Sequence, residues 1–155
     1  MQQLISALQE VLGPGGVLTG DAARSRSGSW GVMHCDAPAV LRPRSTGEVA
    51  TVLRLCHAAG QAVVTEGGKT GLVSGARASV GEIALSLERM HAIEQLDVRG
   101  RTMTVQAGAT LQAVHEAAEA EGLIMPLDLG ARGTATIGGN IATNAGGNQV
   151  IRYGM

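Results

Sequence analysis

The sequence has almost no aromatic residues: it contains no Phe, and Trp30 and Tyr153 are its single Trp and its single Tyr. Val, Leu, Ile, Ala and Met must therefore pack the core, and a site that depends on ring stacking is disfavoured. The formal net charge is only −1, so composition provides no cationic surface for a nucleic-acid backbone or an anionic membrane. We expect no nucleic-acid partner.

Cysteine, export signals and long apolar runs are also scarce. Cys35 and Cys56 lie far apart and follow no secretory signal, which favours reduced thiols. The opening residues, "MQQLISALQEVLG", lack the cationic start, the apolar run and the cleavage site of an exported protein. No window approaches the roughly 18 apolar residues of a membrane-spanning helix. These absences predict a cytoplasmic protein without a transmembrane segment.

Glycine, in contrast, is abundant and clustered, with 23 residues among 155. A chain of this length that is 45% apolar and 16% charged can form one domain or two joined subdomains. Glycine concentrates where the backbone turns at positive φ or where another group approaches it closely. The glycine clusters are therefore candidate ligand sites.

Hydrophobic periodicity predicts alternating helices and strands. Ser45 is expected to cap a helix, with Glu48 completing a capping box, and apolar residues then recur at helical spacing. Residues 13–38 and the glycine-rich end of the chain show little periodicity, so 13–38 is predicted to be a connecting segment. The predicted elements are a helix at 2–12, a strand at 38–42, a helix from Ser45 to Gly60, strands at 62–65, 83–87 and 102–107, and a helix from Thr110 to Gly122 that buries Leu111, Val114 and Ala118.

The strand–helix–strand unit at 38–65 predicts two parallel, neighbouring strands. The glycine loop "EGGKTGLVSGA" then follows the second strand at its carboxyl end, where open α/β sheets bind ligands. The sequence predicts an α+β (mixed α/β) fold, with a small parallel-strand subdomain flanked by helices and the start of a second subdomain.

The motif "GGKT" in this loop resembles a triphosphate-binding loop but does not match it. That motif needs a glycine five positions before its Gly-Lys-Thr, and Val63 stands there. Consecutive glycines can instead point successive N–H groups into a nest for an anion, with Thr70 adding a hydroxyl donor. Lys69 either adds a charge or lies in solvent, and Glu66, unfavourable near phosphate, is expected to point away. A purely structural turn is the alternative.

A second glycine-rich stretch, "PLDLGARGTATIGGNIATNAGG", begins at Pro126. Its amide and hydroxyl side chains alternate with bare backbone, which suits an extended polar ligand. Asp128 is the best carboxylate near this stretch and is expected to stabilise a turn. The candidate ligand-binding residues are Gly138, Gly139, Asn140, Thr143, Asn144, Gly146 and Gly147.

Five segments in order resemble the FAD-binding domain of flavin-linked oxidases and dehydrogenases of the vanillyl-alcohol oxidase type. They are "RPRSTGEV", "VVTEGGKTGLVSGA", "SLERMHAIEQLD", "VQAGATLQAV" and "GLIMPLDLGARGTATIGGNIATNAGGNQVIRYG". The resemblance covers residues 38–155 and leaves 1–37 as an N-terminal helix and connecting segment. The run from Ile124 to Gly154 is most similar to the D-2-hydroxyglutarate dehydrogenase branch, related to glycolate oxidase and D-lactate dehydrogenase.

This resemblance implies two sets of FAD-binding residues. The family often has Asn or another polar residue at the position of Lys69, and Pro or Arg at that of Glu66, so the local charge differs here. Some members attach the flavin through a histidine in the first loop, whereas residues 66–76 contain neither His nor Cys, which implies non-covalent FAD. The diphosphate is assigned to the main-chain N–H groups of Gly67, Gly68, Lys69, Thr70 and Gly71, beside Leu72, and the dinucleotide and flavin edge to Pro126, Leu127, Gly130, Gly138, Gly139, Asn140, Thr143 and Asn144.

The resemblance also implies an FAD-dependent 2-hydroxy acid dehydrogenase, in which hydride passes from the substrate α-carbon to flavin N5 and electrons then pass to a separate acceptor. Family members are usually much longer, so the chain is expected to be an inactive N-terminal fragment whose apolar surface favours a homodimer. The catalytic histidines and a metal are implied beyond Met155.

No catalytic or metal-binding residue is assigned within the chain. His57 and His115 are expected near the surface, and His34-Cys35-Asp36 lacks the spacing of a zinc site. A non-catalytic binding module of the same fold remains the alternative. A relative that reduces a nucleotide-sugar is disfavoured by the run "IMPLDLGARG".

Overall fold

The computed structural model describes residues 1–26 and 35–154. The chain divides into two compact units, Met1–Arg89 and Met90–Met155. The first unit contains α1 (Gln2–Leu12), β1 (Val17–Thr19), α2 (Asp21–Arg24), β2 (Ala39–Leu41), α3 (Thr46–Ala58), β3 (Val63–Glu66), a 3₁₀ turn (Ser74–Ala76) and β4 (Ile83–Ser86). The second contains β5 (Ile93–Asp97), β6 (Thr102–Val105), α4 (Leu111–Ala120), α5 (Ile137–Ala142) and α6 (Val150–Tyr153).

The sheet of the first unit has the strand order β1-β2-β4-β3. Strand β4 pairs in parallel with β2 on one side and with β3 on the other, and β1 is antiparallel to β2. The prediction that the strands at 38–42 and 62–65 are neighbours is therefore wrong, although their parallel direction holds. The intervening strand is β4, whose four residues "IALS" are all buried, as a central parallel strand requires.

The two faces of this sheet differ in side-chain size. Leu41, Ile83 and Leu85 pack with residues of α1 and α3, such as Leu8 and Val52. The opposite face presents smaller side chains, and its buried cluster consists of Ala23, Cys35, Ala37, Val40, Ala78 and Ala84. Small side chains let the chain segments on that face approach the sheet closely, so a core without Phe can still be close-packed.

The long helices of the first unit begin and end close to the predicted residues. Helix α1 ends at Gly13, which has a φ of 64°, a conformation that favours glycine. Ser45 caps α3, and its Oγ accepts a hydrogen bond from the N–H of Glu48 at 3.2 Å. The Glu48 carboxylate accepts from the N–H of Arg44 at 2.7 Å, so only the serine half of the predicted capping box forms.

The prediction of a connecting segment at 13–38 is wrong for part of its length. It contains β1 and α2, which are three and four residues long and too short for periodicity to reveal. Pairing between Val17 and Leu41 fixes β1 on the sheet, so a tertiary contact decides its conformation. Residues 27–34 lie outside the described residues.

The second unit begins with the antiparallel hairpin β5–β6, of which only β6 was predicted as a strand. Thr110 caps α4 as predicted, and α4 buries Leu111, Val114 and Ala118. The segment predicted to lack periodicity contains the short helices α5 and α6. No helix within the described residues is long and apolar enough to cross a membrane.

Candidate functional site

The glycine loop after β3 presents main-chain donors that have no acceptor among residues 1–26 and 35–154. None of the N–H groups of residues 67–72 donates a hydrogen bond to another described residue. Lys69 in the middle of this loop has a φ of 52°, the left-handed conformation found in anion-binding nests. Main-chain N–H groups require an acceptor, so these donors are free to bind a ligand as far as the described residues are concerned.

Glu66 and Lys69 form a buried pair at the base of this loop. Their side chains are 1% and 12% exposed, and Glu66 Oε2 lies 3.9 Å from Lys69 Nζ. Lys69 therefore does not lie in solvent, which was one of the two placements left open by the sequence. Glu66 turns into the first unit, where its Oε2 also lies 3.9 Å from Arg26 Nε. At these distances the three groups interact as charges rather than through hydrogen bonds.

A second carboxylate extends this cluster under the carboxyl ends of the strands. Glu88 pairs with the guanidinium of Arg26 and with Nε of Arg42, and Arg26 Nη2 also donates to Ser86 Oγ at 3.3 Å. Among the described residues, three cations, Arg26, Arg42 and Lys69, thus pair with two carboxylates. The cluster carries an excess of positive charge, which favours an anion nearby.

Burial and pairing compete at these groups. Burial raises the pKa of Glu66, and the charges of Lys69 and Arg26 oppose that rise. Burial also lowers the pKa of Lys69, and Glu66 opposes that fall. Burial acts to raise the pKa of Glu88, but hydrogen bonding and charge from Arg26, with the charge of Arg42, outweigh it and lower the pKa. Each buried charge is therefore tolerated because its partner is present.

Gly138 and Gly139 of the second segment have a different role, because their N–H groups already have acceptors. Gly138 N–H donates to the carbonyl of Ala107 at 2.8 Å, and Gly139 N–H donates to Thr136 Oγ1 at 3.3 Å. A Cβ atom added to Gly138 would lie 2.9 Å from the carbonyl oxygen of Ala107. Gly138 therefore permits a close approach of two backbones rather than offering a free donor.

Asn140, one of the predicted residues, offers an unpaired side-chain donor in α5. It is 8% exposed, and its Nδ2 atom has no hydrogen-bond partner among the described residues. A buried amide donor without a partner costs free energy, so its retention fits a residue that binds a ligand. Thr143 and Asn144, at the end of α5, are exposed, and the hydroxyl of Thr143 donates to the carbonyl of Gly139 at 2.9 Å.

His115 was expected near the surface, and this expectation is wrong. It is buried in α4, and its Nε2 lies 2.7 Å from the carbonyl oxygen of Leu127. This contact ties α4 to the turn that contains the predicted residues Pro126 and Leu127. The helical position of His115 does not predict a contact with Leu127, because Leu127 lies 12 residues later in the sequence.

Asp128 stabilises its own turn, as the sequence predicted. Its Oδ1 lies 3.3 Å from Arg132 Nη1, and its carbonyl accepts from the N–H of Asn148. A cleft of about 580 Å³ opens here. It is lined by Asp128, Leu129, Gly130, Arg132, Gly147 and Asn148, which include the predicted residue Gly130.

A second cavity in this unit is mainly apolar. It has a volume of about 550 Å³ and lies among the β5–β6 hairpin, α4 and the segment 122–126. Pro126, a member of the predicted set, contributes to its lining. Within the described residues, no cluster of three metal-binding side chains is present.

The chain matches the model of a family described as the FAD binding domain over residues 37–155. It therefore belongs to the FAD-binding domain family. The prediction of FAD as the cofactor is confirmed by this membership. The mixed α/β fold class is confirmed by similarity to solved structures, given below.

Relatives share the sequence over most of this chain. D-2-hydroxyglutarate dehydrogenase of Xanthomonas citri pv. viticola is 53% identical over 116 residues, which are 75% of this chain and 25% of that protein. The mitochondrial enzyme of the same name from Bos taurus is 50% identical over 74% of this chain and 21% of its own length. The chain thus spans about a quarter or less of these two relatives. The Stutzerimonas stutzeri enzyme is 38% identical over 98% of this chain and 33% of its own length.

Two solved structures share the fold at low sequence identity. An alkyldihydroxyacetonephosphate synthase superposes with a TM-score of 0.86 at 20% identity, covering 99% of this chain and 34% of that one. A p-cresol methylhydroxylase superposes with a TM-score of 0.73 at 19% identity, covering 90% of this chain and 28% of that one. These similarities establish the fold alone.

Proposed function

We propose that this chain provides the diphosphate-binding part of the FAD site in a D-2-hydroxy acid dehydrogenase. The observation that carries the proposal is the loop at 67–72, whose N–H groups have no acceptor among the described residues, in a chain of the FAD-binding domain family. Consecutive main-chain donors above a cluster with excess positive charge are a physical match for a diphosphate.

The two glycine-rich segments contribute to FAD binding in different ways. The first donates through main-chain N–H groups of Gly67, Gly68, Lys69, Thr70 and Gly71, with Leu72 beside them. The second contributes the Nδ2 donor of Asn140, which has no partner among the described residues. Its remaining members shape the surface around that donor; they are Pro126, Leu127, Gly130, Gly138, Gly139, Thr143 and Asn144.

When FAD is bound, it supplies an acceptor for the hydride that leaves the substrate α-carbon. The residues of this chain hold and orient the cofactor and exclude water from its diphosphate. We assign the base that takes the hydroxyl proton to none of the described residues, since His115 is engaged by Leu127. The 155 residues alone are therefore proposed to bind FAD weakly and to turn over no substrate.

The proposed substrate is D-2-hydroxyglutarate in preference to D-lactate or glycolate. This preference is supported by the names of the similar proteins from Xanthomonas citri pv. viticola and Stutzerimonas stutzeri. A separate electron acceptor, a cytoplasmic location and a homodimer are further parts of the proposal. Exposed apolar side chains in the second unit, Ile124, Ile141 and Ile151, support association with a second surface.

The test uses the full-length product of the gene that encodes these residues. Purified protein is mixed under anaerobic conditions with the D and L forms of 2-hydroxyglutarate and with D-lactate, and flavin absorbance is followed. Bleaching by the D form of 2-hydroxyglutarate alone is the expected result. A protein without flavin absorbance would instead be a non-catalytic binding module, and bleaching by every substrate would contradict the proposed preference.

Acid precipitation tests the mode of attachment. The loop contains no His or Cys, so the yellow flavin is expected in the supernatant. Flavin that remains in the protein pellet would contradict non-covalent binding.

A further inference from the structure

Glu66 and Lys69 lie on either side of Gly67 and Gly68, and the structure brings their side chains together. Their charged atoms lie 3.9 Å apart, and both side chains are largely buried. A lysine beside a diphosphate would ordinarily be interpreted as a phosphate ligand. The geometry here assigns its charge to another partner.

We propose that Lys69 serves as the internal counter-ion of Glu66, and that this pair is a positioning device for the main-chain donors of the loop rather than a direct phosphate ligand. The inference rests on the proposed function, because it concerns how the same loop holds FAD. It goes further by separating the role of the lysine side chain from that of its backbone.

The first argument is the backbone conformation at Lys69. A lysine at a φ of 52° adopts a conformation that costs about 1 kcal/mol or more for a residue with a Cβ. The buried contact of its ammonium with Glu66 holds the side chain inward and offsets that cost. The loop is thereby kept in the form in which its N–H groups donate to no described residue.

The second argument is charge balance. Glu66 is the more deeply buried partner, at 1% exposure, and an uncompensated carboxylate there would be strongly unfavourable. Arg26 also faces Glu66, but its guanidinium makes its hydrogen bonds to Glu88 and Ser86. Among the described residues, Lys69 is within 4.0 Å of no carboxylate but Glu66, whereas Arg26 is shared between two carboxylates.

A double-mutant cycle tests the inference on the full-length protein. The variants are Glu66→Gln, Lys69→Asn and the double variant, and Asn is chosen because it tolerates the left-handed conformation. FAD dissociation constants are measured by flavin fluorescence at several salt concentrations. Each single variant is expected to weaken FAD binding about tenfold, and the double variant to return within about threefold of wild type.

A direct phosphate ligand would behave differently in the same cycle. Lys69→Asn would then weaken FAD binding equally in the wild-type and Glu66→Gln backgrounds. Glu66→Gln would tighten FAD binding. Lys69→Asn would also make the FAD dissociation constant less dependent on salt concentration. Any of these three results would overturn the inference. Single variants that leave the affinity for FAD unchanged would also overturn it.

Lys69→Arg is the matched control, because it keeps the positive charge and a residue with a Cβ at the same left-handed backbone conformation. It is expected to bind FAD within about threefold of wild type, and it keeps the test decisive if Glu66→Gln fails to fold. Weakening by Lys69→Arg as large as that by Lys69→Asn would contradict the counter-ion role. A wild-type protein that takes up no FAD would reject the proposed function itself, whereas additive effects in a protein that binds FAD would reject this inference alone.

Discussion

The two glycine-rich segments use the same residue type for opposite purposes. In the loop at 67–72 the main-chain N–H groups have no acceptor among the described residues, whereas Gly138 and Gly139 donate to Ala107 and Thr136. The first segment presents donors, whereas the second, at Gly138 and Gly147, uses the small size of glycine to pack backbone against backbone. A high glycine content therefore does not by itself identify a ligand-binding loop. What matters is whether each glycine N–H group already donates to an acceptor within the protein.

The comparison predicts that packing glycines carry the larger stability effects. A Cβ at Gly147 would lie 1.9 Å from the carbonyl oxygen of Asp128, whereas one at Gly133 would meet nothing within 4 Å. Gly147→Ala is expected to destabilise the protein by about 3 kcal/mol through overpacking, measured by urea unfolding. Gly133→Ala is the control and should change stability by less than about 0.5 kcal/mol; equal effects of the two would contradict the packing role.

His115 offers the next largest effect, because it anchors the turn of the second segment. His115→Phe removes the contact with the Leu127 carbonyl and leaves that partly buried acceptor without this partner, at a cost of about 2 kcal/mol. His57→Phe, on the exposed end of α3, is the matched control. Thermal unfolding of both variants measures the difference, and an unchanged melting temperature for His115→Phe would show that the turn holds without this contact.

Asn140, in the second segment, should behave like the first loop, because its side-chain donor has no partner among the described residues. Asn140→Asp replaces its unpaired donor by an acceptor of the same shape, so we expect FAD affinity to fall about tenfold, the equivalent of one hydrogen bond. Gln95→Glu, an amide-to-carboxylate change on the exposed strand β5, should leave affinity unchanged. Equilibrium dialysis compares them, and equal affinities for Asn140→Asp and wild type would place Asn140 with the packing residues.

The charges below the first loop predict a smaller, pH-dependent effect. Because the folded pKa of Glu88 is lowered, its carboxylate stabilises the fold above its unfolded pKa of about 4.3 and loses that effect as pH falls further. Glu66, whose pKa is raised, contributes with the opposite sign. Glu88→Gln should therefore cost about 1 kcal/mol at pH 7, since the pair is partly exposed.

Urea unfolding from pH 7 down to pH 3 checks this prediction. The gap in stability between wild type and Glu88→Gln is expected to shrink as pH falls below about 4.3. Arg26, Arg42 and Ser86 act on the Glu88 carboxylate and lower its pKa. A gap that stays constant would mean that Glu88 contributes through packing and not through its charge.

Capping residues and apolar spacing predicted the long helices well. They failed for strands whose position depends on contacts between residues far apart in the sequence. The caps at Ser45 and Thr110 and the apolar spacing after them identified α3 and α4. The position of β4 between β2 and β3 could not be predicted, because strand order depends on which strand is most completely buried. Strand β1 was missed for a related reason, since three residues carry little pattern.

The site residues stay a prediction, which the resemblance made for the loop at 67–72 and the segment after Pro126. The charges beneath the loop were not predicted. The sequence did not predict the partners of Glu66. Arg26 lies 40 residues before Glu66, and Lys69 lies in a loop rather than on a helix shared with Glu66. The sequence did not predict the burial of His115 either, because its partner Leu127 belongs to a turn without hydrophobic periodicity.

Amide hydrogen exchange, followed by NMR on the full-length protein with and without FAD, tests the central claim most directly. The account predicts that the N–H groups of residues 67–72 exchange rapidly without FAD and become protected when FAD is bound, while those of Gly138 and Gly139 are protected in both states. Residues 67–72 that are already protected without FAD, or that stay unprotected with it, would contradict the claim that this loop holds the diphosphate.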